Sequence, residues 1–140
     1  MAIEIRVLGP GDEAVVIAAA GLFDEPPTPG WTESFLTTSG HHLLVAFDGD
    51  DAVGFVSCVE LLHPDKGREL FLYELSVAEE VRRRGIGRAL VDAGLDLARR
   101  LGCYGAWTAT EDDNAAALAT YRSTGATADP TTVTEVWDWR

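Results

Sequence analysis

The sequence predicts one α/β (α+β) domain of 140 residues, a mixed, mostly antiparallel sheet flanked by helices. Three observations predict it. Ile3, Ile5 and Val7 alternate with Glu4 and Arg6, the period of a half-buried strand. Leu43–Phe47 and Ala52–Leu62 are apolar stretches on either side of Asp48-Gly49-Asp50-Asp51, which reads as a hairpin. Ile86, Leu90, Ala93, Leu97 and Leu101 recur at helical spacing and would face the sheet. The length suffices for a single core without disulfide or metal staples, and 46% hydrophobic content is incompatible with disorder.

The elements follow in order. Gly9-Pro10-Gly11 breaks the first strand, and Asp12 is placed to cap a helix from about Glu13 to Ala20. Prolines make Glu25–Gly30 a stiff loop, and a short helix over Trp31–Thr38 follows. After the hairpin, His63–Gly67 turns the chain into a third strand, Glu69–Val77. The long helix carries an Asp96–Arg100 pair on its outer side and stops at Gly102. A strand over Cys103–Ala109 and a helix from Asn114 to Thr124, ended by Gly125, come next. The remaining stretch alternates, with Val133, Glu135, Trp137 and Trp139 on one side, so strands close the order β-α-α-β-β-β-α-β-α-β-β. There is no repeat, linker or low-complexity segment, so residues 1–140 read as one unit.

Composition excludes several classes. A net charge of −12 argues against nucleic acid as a partner. No apolar run approaches the ~20 residues needed to span a bilayer, and Glu4 and Arg6 stand where a signal peptide needs apolar residues, so no membrane role and a cytoplasmic location are expected. Cys58 and Cys103 lie in apolar surroundings and read as buried, reduced and inert. His41, His42 and His63 lack the neighbours of a zinc site, so no metal is expected. The basic residues cluster: eight of eleven fall between Lys66 and Arg100, while residues 10–65 hold none. A basic spot in an acidic chain suits an anionic cofactor and a cationic second substrate, and it suits plain solubility equally.

The most informative segment runs from Leu75-Ser76-Val77 through Arg82-Arg83-Arg84-Gly85-Ile86-Gly87-Arg88 into the long helix. A helix N-terminus offers unpaired N–H groups and the positive end of its dipole, so it can hold an anion. Glycines at 85 and 87 let the backbone approach that anion, and the arginines add charge beside it. The lysine-bearing P-loop string is missing, and Leu90 stands where the dinucleotide fingerprint needs a third small residue. What remains is a phosphate or pyrophosphate site, or a strand-to-helix turn with a solvated arginine run.

Arg82-x-x-Gly85-x-Gly87 after a strand ending Leu75-Ser76-Val77 resembles the acyl-CoA-binding signature of the Gcn5-related N-acetyltransferase (GNAT) family. A second element, Asn114-x-x-Ala117-x-x-x-Tyr121-x-x-x-Gly125, follows in the family's order. The resemblance implies the GNAT fold, acetyl-CoA as donor, and direct attack by a substrate amine within a ternary complex. It implies that backbone N–H groups of 83–88, with Arg82, Arg83 and Arg88, hold the pyrophosphate, while Arg84 points to solvent. It places Leu75, Ser76 and Val77 along the pantetheine arm and thioester oxygen, and Asn114 near the pantetheine or a bridging water. Core packing for Val77 and a helix cap for Asn114 are the structural alternatives. Tyr121 is the candidate partner of the departing thiolate, a phenol able to give a proton, or else a core aromatic.

The general base does not carry over. Ala109 and Phe71 stand where family members place glutamates. Glu74, in Tyr73-Glu74-Leu75-Ser76-Val77, is the remaining choice, because a carboxylate in an apolar strand is costly unless paired or useful. An outward-facing residue, or a partner for an arginine, is its structural alternative; Glu60, Glu111, Asp112 and Asp113 come next as bases. The texture of Phe71–Val77, the Arg-Arg-Arg-Gly-Ile-Gly turn and the acids before Asn114 is similar to the aminoglycoside 3-N-acetyltransferase branch, although Asn114 departs from it. That similarity implies a small aminosugar- or polyamine-like acceptor, with Trp31, Asp24, Glu25 and Glu33 near its pocket, and a link to antibiotic resistance. A peptide N-terminus or protein lysine, and a non-catalytic acyl-CoA sensor, are the rivals. Trp137 and Trp139 read as core or as the surface of a homodimer.

Overall fold

The computed structural model describes residues 2–140. Five strands form one sheet in sequential order: β1 (Ile3–Leu8), β2 (His41–Asp48), β3 (Asp51–His63), β4 (Gly67–Val77) and β5 (Ala106–Trp107). The first three pairings are antiparallel and β4 pairs with β5 in parallel, as a mixed, mostly antiparallel sheet requires. Helices α1 (Glu13–Ala18) and α2 (Pro29–Thr37) lie on one face, and α3 (Ile86–Arg100) lies on the other with α4 (Ala115–Ser123) beside it.

Alternation along the strands builds a separate core on each face. Leu43, Val45, Phe47 and Phe55 pack with Val16 and Leu36 on the α1–α2 side. Leu44, Ala46, Val56, Cys58, Leu70 and Leu72 pack with Ile86, Leu90, Val91, Leu97 and Ala98 on the α3 side. Successive residues thus point to opposite faces, and both faces need cover. Gly54 lets α3 sit close: a Cβ there would lie 2.8 Å from Ser76 O and 3.1 Å from Leu90 Cδ1.

Several boundaries differ from the sequence reading for local reasons. The Asp12 carboxylate accepts the Gly9 N–H at 2.8 Å instead of capping α1, which ends early in a 3-10 turn, Ala20–Leu22. α2 begins at Pro29, where a missing N–H costs nothing, and Thr28 Oγ1 accepts from the Trp31 N–H. Asp96 pairs with Arg99 at 2.9 Å, one residue short of the expected Arg100, while Arg88 reaches Asp92. The largest departures come late in the chain. β5 shrinks to two residues, since the Thr108 hydroxyl donates to Leu72 O at 2.7 Å and occupies a carbonyl on β4's outer side. The alternating stretch 127–140 forms no strand: it is exposed throughout and makes no backbone hydrogen bond to the sheet. Its period is that of a strand, but it pairs with no edge of the sheet. Trp137 and Trp139 are therefore not core residues.

Candidate functional site

The site is built where β4 ends, α3 begins and α4 passes by. β4 and β5 pair only at Leu70–Ala106 and Phe71–Trp107, after which they part. From Tyr73 to Val77 the outer edge of β4 therefore carries no strand partner, while its inner edge stays bonded to β3. Free backbone groups on such an edge are ready to bond an extended ligand.

The arginine–glycine turn lies at the far end of this edge. Arg83 has φ 66° and Gly85 φ 79°, two left-handed residues bracketing Arg84. Such alternation turns successive N–H groups toward one side, a concavity suited to an anion. Holding a non-glycine residue there costs about 1–2 kcal/mol, a strain typical of functional turns. Gly85 caps α3 without a side-chain bond, and the first intrahelical bond begins at Ala89 N–H to Gly85 O. The N–H groups of Ile86, Gly87 and Arg88 thus lack intrahelical acceptors. Ile86 is buried and anchors the turn, so its contribution to a ligand would be its backbone alone.

The three motif segments converge. A Cβ on Gly87 would lie 3.7 Å from Val77 Cγ2 and 3.6 Å from Thr120 Cγ2, so β4, α3 and α4 are in van der Waals reach at one point. Arg82 Nε donates to Val77 O at 3.2 Å and ties the turn to the strand. Arg82, Arg83 and Arg84 are exposed, and Arg88 lies along the helix surface 3.8 Å from Asp92. Tyr121, next to Thr120, is half-buried against the α3-side core. Asn114 Oδ1 accepts the Ala117 N–H at 3.1 Å and caps α4.

Glu74 owes its position to a bulge. The β3–β4 register pairs Ser57 with Glu74 and Cys58 with Leu72, leaving Tyr73 as an extra residue. Before the bulge, Leu70 and Leu72 face α3; after it, Leu75 and Val77 do. Glu74 and Ser76 are thereby turned to the α1 face, where the Ser76 hydroxyl donates to Leu22 O at 2.7 Å. Strict alternation would have aimed Glu74 into the α3 core. Buried Ser57 accepts the Glu74 N–H at 3.1 Å and stabilises the irregular step. Partial burial, then the negative charge of Asp24, raise the Glu74 carboxyl above the usual glutamate range. Glu74 and Asp24 thus form an acidic rim beside the open edge of β4.

Other candidates are committed elsewhere. Glu60 bonds His42 Nε2 at 2.6 Å and Arg68 Nε at 2.9 Å, so it serves an ion-pair network between β2, β3 and β4. His63 and Tyr104 engage Glu69, and His41 stacks edge-on with Phe35. Burial pushes the Cys58 thiol up to about 12, and Cys103 is half-buried. Ser57, Thr120 and the Leu22 carbonyl were not singled out from sequence. Ser57 had a signal, a hydroxyl inside an apolar strand; Thr120 and Leu22 had none.

With this geometry in place, the comparisons with known proteins are specific. A family model described as the acetyltransferase (GNAT) family matches residues 14–126. The chain belongs to that family. It is 33% identical over 133 residues to a mycothiol acetyltransferase of Geodermatophilus obscurus, covering 85% of this chain and 42% of that protein. The chain therefore spans less than half the length of that relative, and 32% of a Rattus norvegicus N-acetyltransferase 8B. A crystal structure of an aminoglycoside acetyltransferase from an uncultured soil metagenomic sample, in complex with trehalose, superposes with TM-score 0.90 at 22% identity, covering 99% of this chain and 97% of that one. An aminoglycoside N-acetyltransferase in complex with CoA superposes with TM-score 0.78 at 18% identity, covering 99% and 94%. At such identities the superpositions establish the fold. Among the described residues, no helix is long and apolar enough to cross a membrane.

Proposed function

We propose that this chain transfers an acetyl group from acetyl-CoA to a primary amine of a small cationic acceptor, aminoglycoside- or polyamine-like, by direct attack in a ternary complex. The observation that carries the reading is the meeting of Gly87, Val77 and Thr120 at the unpaired edge of β4. The residues present fit the donor. Three N–H groups free of intrahelical acceptors and a left-handed pair suit a diphosphate, with Arg82, Arg83 and Arg84 as nearby charge. The edge Leu75-Ser76-Val77 suits an extended amide-bearing arm and the thioester oxygen, and Asn114, the N-cap of α4, is the residue we assign to the pantetheine or a bridging water.

Acetyl-CoA supplies an activated acetyl group on sulfur. Glu74 takes the proton from the acceptor's ammonium, a task helped by a carboxyl whose affinity for protons is raised. The amine nitrogen then forms its bond to the acetyl carbon as the carbon–sulfur bond breaks, Tyr121 gives a proton to the departing sulfur, and the second proton of the acylated nitrogen restores the phenol, leaving a neutral amide and a free thiol. Asp24 with Glu74 holds a second positive charge of the acceptor, and the chain's net charge of −12 draws polycations to the site. With an aminosugar acceptor the product would be a modified antibiotic.

Calorimetric titration with acetyl-CoA, followed by thiol release with aminoglycosides, polyamines and peptides, tests the reading. Binding with release on the small polyamines supports it. Release on peptides alone replaces the acceptor, binding without release makes the chain a sensor, and absence of binding removes the proposal. Tyr121→Phe is expected to slow turnover at least tenfold while sparing acetyl-CoA affinity; unchanged turnover returns Tyr121 to the core.

A further inference from the structure

Glu69 gathers three nitrogen and oxygen partners on one carboxylate. Its Oε1 accepts the Trp107 indole N–H at 3.1 Å, its Oε2 accepts the Tyr104 hydroxyl at 2.5 Å, and His63 Nε2 lies 3.3 Å from Oε1. The Tyr104 bond above all holds the Glu69 carboxyl below the usual glutamate range, so the group is charged at neutral pH. The indole bond fixes the plane of Trp107, which stacks on Phe71 with ring centres 4.2 Å apart and an angle of 22°. Tyr73 continues the row, 5.3 Å from Phe71. None of the three rings belongs to either apolar core, and Trp107 and Tyr73 stay 46% and 60% exposed. Rings held this rigidly and left in water are prepared for a contact from outside the chain.

The row is placed beside the site. Leu70 and Leu72 face α3, so Phe71 and its stacked partner lie on the opposite face, where α1 and α2 pack over β1–β3. Glu74 is turned to that same face three residues beyond Phe71, about 10 Å away at the ~3.3 Å rise of a strand. β4 and β5 part directly after the Phe71–Trp107 pair, so the rings border the opening that leads to the edge Leu75–Val77.

We propose that Trp107, fixed on Phe71 by the Glu69 carboxylate, selects the acceptor by stacking on the C–H face of an aminosugar ring whose amine reaches Glu74. The inference rests on the transferase reading above, and it narrows the acceptor from any small polycation to one that carries a saturated ring. Such a ring is amphipathic: its carbons present C–H groups on a face, while hydroxyl and ammonium groups point out from the rim. A rigid indole covers that face at little entropic cost, and its negative π cloud attracts polarised C–H and ammonium groups. Donation of the indole N–H to a carboxylate polarises the ring further in that direction. Glu74 and Asp24 then meet the ammonium groups at the rim. A linear polyamine feels the same acids but has no face to stack. Charge draws both to the site, and only the rings tell them apart. Glu69 is a positioning residue, acting through Trp107.

Thiol release by the full chain with neamine, a ring aminosugar, and with spermidine, a linear polyamine, tests this. Acetyl-CoA titration and saturation-transfer NMR on the neamine protons accompany it. The intact chain should prefer neamine in kcat/KM, with saturation strongest on the ring C–H protons. Trp107→Ala should lower that preference about tenfold, through the KM for neamine more than through kcat, and should weaken the saturation. Trp107→Phe should restore most of both. Glu69→Gln should shift KM in the same direction, and combining it with Trp107→Ala should add nothing further. Melting curves check that each variant is folded; if Trp107→Ala is not, the KM shift of Glu69→Gln decides. Equal use of spermidine and neamine by the intact chain overturns the inference. So does a preference that survives Trp107→Ala, or effects of the two substitutions that add. Absence of acetyl-CoA binding overturns the transferase reading instead, and loss of ring saturation in Trp107→Ala then still decides the stacking site.

Discussion

The buried hydroxyl of Ser57 accepts the backbone N–H of Glu74 at 3.1 Å, across the bulge that leaves Tyr73 without a partner on β3. The bond stabilises the one step at which β4 exchanges its two faces. Ser57→Ala strands that amide and is expected to destabilise the fold by about 1–3 kcal/mol. Denaturant midpoints measure it. Turnover should fall further than the unfolded fraction explains, since Glu74 loses its fixed orientation; an unaltered midpoint and rate would show that the bulge stands without the bond.

Glu74 is expected to give a pH signature in both stability and rate. Partial burial and Asp24 raise its carboxyl, so the folded chain binds this proton more tightly than the unfolded chain. Its contribution is fully present below the ordinary glutamate range and is lost as pH rises through the raised folded value. Glu74→Gln should therefore stabilise the fold at neutral pH by roughly a few tenths of a kcal/mol given its exposure, read as a small rise in melting temperature, with no gain in acid. The same variant should lose the limb on which the rate rises with pH. A profile identical to that of the parent chain would remove Glu74 as the base.

Gly85 at φ 79° has open space where a Cβ would go, so Gly85→Ala strains the backbone without a clash. The strain is expected to cost about 1–2 kcal/mol. Reshaping the turn should weaken acetyl-CoA binding about tenfold, the loss of one charge-assisted hydrogen bond. Titration calorimetry on the folded variant reads it, and equal affinity would place the diphosphate elsewhere.

The two cysteines should differ in reactivity. Cys58 is wholly buried, with its thiol pushed up to about 12, whereas Cys103 is half-buried, its thiol also raised by burial but open to solvent on one side. A disulfide reagent at neutral pH is expected to label Cys103 within minutes and Cys58 only on unfolding, because the thiolate is the reacting form. Rapid labelling of both would mean that the sheet opens locally near β3.

Much of the fold was legible because it is written in short-range pattern. The helical spacing from Ile86 to Leu101, the Asp48–Asp51 hairpin and the glycine ending α4 each rest on neighbours a few residues apart. Of the candidate site, the arginine–glycine turn and the α4 segment were visible as motifs, and Glu74 as an acid out of place. The direction of Glu74 was not legible, because a bulge shifts alternation by one residue and depends on Ser57, seventeen positions away. The short β5 and the strandless stretch 127–140 were not legible either, since alternation reveals a face and cannot supply a partner edge.

The sequence by itself determined the element order down to α4, the two-sided sheet and the membership of the acetyltransferase (GNAT) family. Local propensity and periodicity are properties of consecutive residues, and they survive without coordinates. Tertiary structure alone decided that Val77, Gly87 and Thr120 meet, that Glu74 faces Asp24, and that β4 keeps one edge open. Those are relations between residues far apart in the chain, set by how two helices pack on opposite faces of one twisted sheet.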